Sequence, residues 1–198
     1  MEIHNKIAIA GLALALGGGF GVAKAQTQDT STTTRTTSPK SSSPSNADAT
    51  FAKKAAEGGN AEVKMGRLAQ DKGDSQAVKD FGKRMEDDHG LAGQKLQDLA
   101  REENMTLPTG LSTSDQQVYD RLSKLSGQAF DVAYMRDMVK DHTTDIAEFQ
   151  QEAKNGTDSK LKRFASDTLP TLQDHLKQAQ QIRAAQGGKN VKSSQVQQ

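Results

Sequence analysis

The residues of this sequence best suited to joint chemistry are three histidines and one glutamate. Beyond residue 25 the histidines are His89, His142 and His175, and each directly follows an Asp. Read at helical periodicity, His142 falls at the centre of an apolar stripe. His89 falls within a second stripe and His175 at the edge of a third. Glu62 falls in the middle of a face otherwise made of Ala and Gly. One ionisable residue per helix, all turned inward, is how helical bundles build metal sites. An unpaired carboxylate is costly to bury, so an inward Glu62 calls for a cation or an imidazole partner. The predicted metal ligands are therefore Glu62, His89, His142 and His175. Glu86 is added because Glu86-x-x-His89 places both side chains on one helix face, one turn apart.

That Glu-x-x-His spacing occurs once. Val139 and Leu172 occupy the equivalent places before His142 and His175, so a full di-iron carboxylate set is missing. A mononuclear or His-rich site for Fe, Mn, Zn or Cu fits the donors better. Met85 and Met138, one turn before two of the histidines, fit core packing better than ligation. Asp131 lies eleven residues from His142, too far along one helix to share its site, and is expected to cap or pair locally, with Tyr134 half-buried beside it. Asp88, Asp141 and Asp174 are expected to be solvated or to support the histidines from outside. The competing reading is a metal-free layer of polar residues that hydrogen-bond across the core and fix helix register.

The elements that would position these residues are helices. Runs rich in Ala, Lys, Gln, Glu, Leu and Met are interrupted at wide intervals by Gly, Asn and Pro. The pattern predicts helices over 49–71, from Asp74 or Ser75 to Glu103, over 115–125 behind a Ser114/Gln117 capping box, from Gly127 to Lys154, and from Asp158 to Gln186 with a kink or break at Pro170. Gly58, Gly59 and Gly66 give the first helix a small-residue face suited to close packing, and Gly58-Gly59 also reads as a bend point. Similar runs begin at Asp74 and Asp158, and Asp-His pairs recur. They suggest two related hairpins, although similar amphipathic helices can resemble one another by composition alone. The fold class is all-α: an antiparallel four-helix bundle with a short extra helix in the connection between its second and third long helices.

Composition restricts the rest. The chain has 198 residues, 33% of them hydrophobic, no Cys and a net charge of +1. Disulfides, thiolate metal sites and Cys nucleophiles are excluded, and the charge offers no field for nucleic acid. Residues 1–25, with Lys6, the apolar run Ile7 to Val22 and Ala23-Lys24-Ala25, read as a signal peptide, with a retained membrane anchor as the alternative. Residues 26–48 read as a disordered Ser/Thr/Pro-rich tether, 49–186 as the bundle and 187–198 as a flexible tail. No phosphate-binding Gly loop, Gly-x-Ser-x-Gly or His-Glu-x-x-His motif is present, so nothing points to an enzyme.

An ordered set of short motifs carries a family resemblance. It comprises Phe51-Ala52, Ala61-Glu62-Val63, Leu68-Ala69, Val78-Lys79-Asp80-Phe81, Met85, Asp88-His89, Leu125-Ser126-Gly127, Phe130-Asp131, Tyr134, Met138-Val139, Asp141-His142, Leu169-Pro170 and His175-Leu176. Over about residues 49–183 the sequence resembles the bacterial domain-of-unknown-function family 4142. The resemblance implies a ferritin-like four-helix fold and an exported bacterial protein of the periplasm or cell envelope, and it implies no activity. Two functions are expected from these readings. One is metal binding in the bundle core for stress defence or metal handling. The other is a non-enzymatic envelope module whose partner is an envelope protein or a second copy, with membrane contact only through an uncleaved signal segment.

Overall fold

The computed structural model describes residues 44–195, with side chains through residue 186. The signal-peptide segment, most of the tether and the side chains of the tail lie outside the described residues. Five helices follow in order: α1 (Asn46–Lys72), α2 (Gln76–Glu102), α3 (Thr113–Ser123), α4 (Gly127–Asn155) and α5 (Ser159–Gln195). Among the described residues no helix is long and apolar enough to cross a membrane.

Local chemistry explains the boundaries. Ser45 and Asp48 form a reciprocal capping box, so α1 starts at Asn46 and takes in the end of the expected tether. Ser75, rather than Asp74, caps α2 by accepting from the Val78 amide. Asn104 leaves that helix with φ of 54°, a left-handed exit that Asn tolerates. The cap of α3 is Ser112, which accepts from the Asp115 amide, and not Ser114. Gly127 opens α4 with φ of 60°, a conformation that favours glycine. Pro170 does not divide α5. It lies on the exposed side, where the carbonyl of exposed Ser166 that it leaves without an amide partner can meet water. The same helix runs past Gly187-Gly188, where the sequence predicts its end.

The helices α1 and α2 form one antiparallel hairpin and α4 and α5 another. The hairpins pack so that α1 lies against α4 and α2 against α5, each pair antiparallel. The ion pair Lys54–Glu148 joins the first pair, and Arg84 bonded to Gln178 joins the second. It follows that α2 and α4 run in the same direction. Residues 103–126 must therefore return along the bundle, and α3 packs against α1 and α4 on the way. The Asn60 side chain donates to the carbonyls of Pro108 and Gly110 and pins this connection to α1.

One constant residue offset relates the two hairpins. It pairs Asp48 with Asp131, Phe51 with Tyr134, Gly73 with Gly156, Ser75 with Asp158, Val78 with Leu161 and Phe81 with Phe164. The hydrogen bonds repeat with it. Asp131 accepts from the amides of Asp74 (Oδ1, 2.9 Å) and Ser75 (Oδ2, 2.9 Å). Asp48 accepts from the amides of Thr157 (Oδ1, 2.8 Å) and Asp158 (Oδ2, 3.2 Å). Each hairpin thus holds the turn of the other through an aspartate near the start of its first helix. This is a pseudo-twofold arrangement, one residue out of register with the Asp74/Asp158 match that the sequence suggests. Asp131 does not cap its own helix, as local pairing would require; it holds the turn that leads into α2.

The hairpin α1–α2 closes on two glycines. A Cβ built on Gly66 would lie 2.5 Å from the Gly82 carbonyl oxygen, and one on Gly82 would lie 2.6 Å from the Gly66 carbonyl oxygen. By contrast, nothing lies within 4 Å of a Cβ on Gly90. Gly66→Ala is expected to destabilise the fold by about 1–3 kcal/mol. Gly90→Ala is expected to stabilise it by up to about 1 kcal/mol through helix propensity. Urea unfolding of the two variants beside wild type measures both signs.

The buried apolar residues form two separate clusters. One contains Met65, Phe81, Met85, Phe130, Tyr134 and Met138 among others. The second contains Phe51, Leu96, Phe149, Leu161 and Leu172. Near the boundary between the clusters each long helix carries a buried polar residue: Glu62 on α1, His89 on α2, His142 on α4 and His175 on α5.

Candidate metal centre

The bundle brings four of the five predicted ligands into one layer. Glu62 is 3% exposed and His89 8%, and His142 and His175 are fully buried. His175 is thus core, not stripe edge. One ring nitrogen from each histidine lies within 4.8 Å of those of the other two, and the ring centroids are 5.2–5.6 Å apart. Glu86 does not join them. It turns outward, accepting from Arg67 Nε at 2.8 Å and Gln70 Nε2 at 2.9 Å. The i, i+3 spacing does not secure a shared direction, because His89 faces the core and Glu86 the groove beside α1.

Hydrogen bonds fix which nitrogen of each ring is free. His89 Nδ1 lies 2.8 Å from Glu62 Oε2. His142 Nδ1 lies 2.9 Å from the Met138 carbonyl oxygen and 3.4 Å from Glu62 Oε1. His175 Nε2 lies 2.8 Å from Asp88 Oδ2. A carbonyl or an ionised carboxylate can only accept, so each of these nitrogens carries hydrogen. In the neutral rings the remaining nitrogens are then lone pairs: His89 Nε2, His142 Nε2 and His175 Nδ1. His142 Nε2 and His175 Nδ1 face each other at 3.2 Å. His89 Nε2 is buried with no hydrogen-bond partner, as is Glu62 Oε1.

Electrostatics favour neutral His142 and His175 rings and a charged Glu62. Burial pushes the His142 and His175 imidazoles down, His175 to about 4 despite its bond to Asp88. Burial alone would raise Glu62, but the surrounding imidazoles, His89 first, hold it below the usual carboxylate range. Burial, followed by the Glu62 charge, lifts Asp145 to about 9 and Asp141 to about 7. Tyr134, stacked on Phe130, is fully buried with an unpartnered hydroxyl. Burial raises it well above its ordinary value. It is not the half-buried packing residue that the sequence predicts.

Of the supporting groups, Asp88 takes the outer role that the sequence allows it, and Asp145 escapes the sequence pattern. Asp88 diverges from His89 on its own helix and instead reaches His175 across the α2–α5 contact. Asp145 lines a small cavity beside Glu62 and His89. Its signal in the sequence is the spacing His142-x-x-Asp145, which puts both on one side of α4. A cleft of about 420 Å³ between α2 and α5 reaches His89 and His175 from the surface.

Residues 33–182 match the family described as domain of unknown function (DUF4142). The chain belongs to this DUF4142 family. No curated protein matches it. Two solved structures share its fold. A crystal structure of a DUF305 protein from Streptomyces coelicolor, described as a "putative secreted protein", has a TM-score of 0.61 at 16% identity, covering 71% of this chain and 94% of that one. A crystal structure of a DUF305 fragment from Deinococcus radiodurans has a TM-score of 0.65 at 8% identity, covering 73% and 99%. At these identities the likeness is one of fold: DUF4142 here is an all-α bundle.

Proposed function

We propose that this protein binds one transition-metal ion in the core of its bundle, through His89, His142 and His175. The observation that carries this reading is that three buried imidazoles bring one nitrogen each within 4.8 Å of the other two, while bonds to Glu62, the Met138 carbonyl and Asp88 hold the rings in place. Metal-binding histidines typically have that arrangement, with an outer carboxylate or carbonyl fixing tautomer and orientation. Glu62 changes role relative to the sequence expectation: its Oε2 orients His89, and only its unpaired Oε1 is left to face a cation. Asp88 and the Met138 carbonyl do the same orienting work for the other two rings. Three neutral nitrogens beside a carboxylate suit Zn, Cu, Fe or Mn.

Without a cation, two lone pairs face each other at 3.2 Å in the core. A metal-free polar layer would need an added proton between His142 and His175, on rings whose burial disfavours charge. We read the protein as exported to the periplasm or cell envelope, in keeping with its amino-terminal sequence and with the description of the Streptomyces relative. Metal handling is the role that a buried, Cys-free site serves in that setting.

The test is equilibration of the purified protein with each metal in turn, followed by desalting and elemental analysis. The expected result is one ion per chain for at least one metal. Negligible content for all four would favour the metal-free polar layer and an envelope interaction role.

A further inference from the structure

Beside the imidazole cluster is a space of about 30 Å³, enough for a water or a molecule of two heavy atoms. It is lined by Glu62, His89 and Asp145, by Gly58, Gly59 and Gly93, and by apolar side chains of α4 and α5. Two of its polar groups are more than nine-tenths buried and have an unpartnered atom, Glu62 Oε1 and His89 Nε2.

The glycines are not there for packing. A Cβ on Gly58, Gly59 or Gly93 would meet nothing within 4 Å, unlike one on Gly66 or Gly82. Glycine inside a helix costs about 0.5–1 kcal/mol relative to alanine. Three at one level are a sustained cost with no contact in return, and what they preserve is room.

The offset relating the two hairpins gives that room a second meaning. It maps Glu62 onto Asp145, His142 onto Gly59 and His175 onto Ala92. All of Gly59, Ala92 and Asp145 line the space. The pseudo-twofold therefore sets a pair of imidazoles on one side of the layer and, on the other, a hollow that keeps its carboxyl group.

We propose that this hollow is a binding site for a small neutral ligand, of water to diatomic size, that reaches the metal beside His89 and is hydrogen-bonded by Asp145. The proposal rests on the metal reading of the three histidines. Three protein nitrogens leave a metal with a coordination position that an external ligand can take. The phenyl rings of Phe149 and Phe164 on the far wall favour an uncharged ligand over an anion. Asp145 is a third polar side chain on the wall of the hollow and can hydrogen-bond a ligand held there.

The test uses the full chain loaded with cobalt(II), with nitric oxide as the probe and the visible absorption of the cobalt as the signal. Wild type is expected to bind one cobalt per chain and to change its spectrum on adding one equivalent of nitric oxide. Gly59→Leu and Ala92→Leu, which fill the hollow, are expected to keep the cobalt and lose the response at least tenfold. Asp145→Ala is expected to keep the cobalt and bind nitric oxide more weakly. A wild-type protein that holds cobalt but ignores nitric oxide overturns the hollow and leaves the metal centre standing. Filled variants that respond as wild type does have the same consequence. A wild type that holds no cobalt overturns both.

Discussion

His142→Ala is expected to remove most of the stabilisation that metal gives this protein. His142 is the ring with most at stake, because it is fully buried and its free nitrogen faces His175 at 3.2 Å. Losing an outer partner of a metal ligand typically costs 10–100-fold in affinity, so loss of the ligand itself is expected to exceed about 100-fold. At a metal concentration about 1,000 times the dissociation constant, binding stabilises the wild type by about 4 kcal/mol. For a domain of this size that raises the melting temperature by about 10 °C. His142→Ala should show only a small part of that rise, and Asp88→Ala a reduced one, since it leaves His175 in place without its orienting carboxylate. The measurement is thermal unfolding with and without metal. The metal-free layer predicts a different pattern. There, the variant is less stable by about 2–3 kcal/mol, from a cavity and an unpaired His175 nitrogen, and metal changes neither protein. Equal melting temperatures with and without metal in wild type would decide for that layer.

The layer was legible in the sequence because helical periodicity is a property of a single helix. Glu62, His89 and His142 each fall on an inward face, and that face can be found without knowing any neighbour. Partner choice between helices is not written in the period. The sequence allows Asp88 to be solvated or to support a histidine, and only the antiparallel packing of α2 on α5 makes that histidine His175 and not His89. Glu86 satisfies a ligand spacing and still leaves the site, because Arg67 and Gln70 of α1 offer it closer partners. The glycines show the same limit. The sequence reads the small-residue face of α1 as close packing, with a bend as a second role for Gly58-Gly59, whereas α1 is continuous and the structure divides the face into a tight crossing at Gly66 and open space at Gly58 and Gly59. Duplication was visible as similar runs, but its register needed the matching carboxylate bonds of Asp48 and Asp131.

Those two carboxylates carry the second large effect. Asp48 is fully buried and accepts from the Thr157 amide and hydroxyl, the Asp158 amide and the Ser45 amide. Its removal leaves several donors of the α4–α5 turn unpaired, so Asp48→Ala is expected to destabilise the bundle by about 2–4 kcal/mol. Asp131→Ala should cost about 1–3 kcal/mol through the amides of Asp74 and Ser75. Because the hairpins clamp each other, the double variant should leave little folded protein. Acid acts at the same point. Burial opposes ionisation of Asp48, but its bonds to Thr157 and Ser45 outweigh burial and hold it well below its ordinary value of 3.8. A carboxyl lowered by folding stabilises the native state above its unfolded value and loses that contribution as pH falls. The clamp should therefore weaken below about pH 4, and Asp48→Asn should flatten this acid limb. Glu152 has the opposite sign. Burial, then the Asp48 charge beside it, raises Glu152 to about 7, and its Oε1 is buried without a partner. A carboxyl raised by folding favours the native state below its unfolded value of 4.5 and loses that contribution as pH rises toward 7. Glu152→Gln is thus expected to be neutral near pH 4 and to stabilise by about 1–2 kcal/mol at pH 8, after allowance for solvent screening. Urea unfolding of wild type and the single variants between pH 3 and pH 8 reads both limbs. If Glu152→Gln shifted stability equally at the two ends, its effect would come from packing and not from the proton it holds beside Asp48.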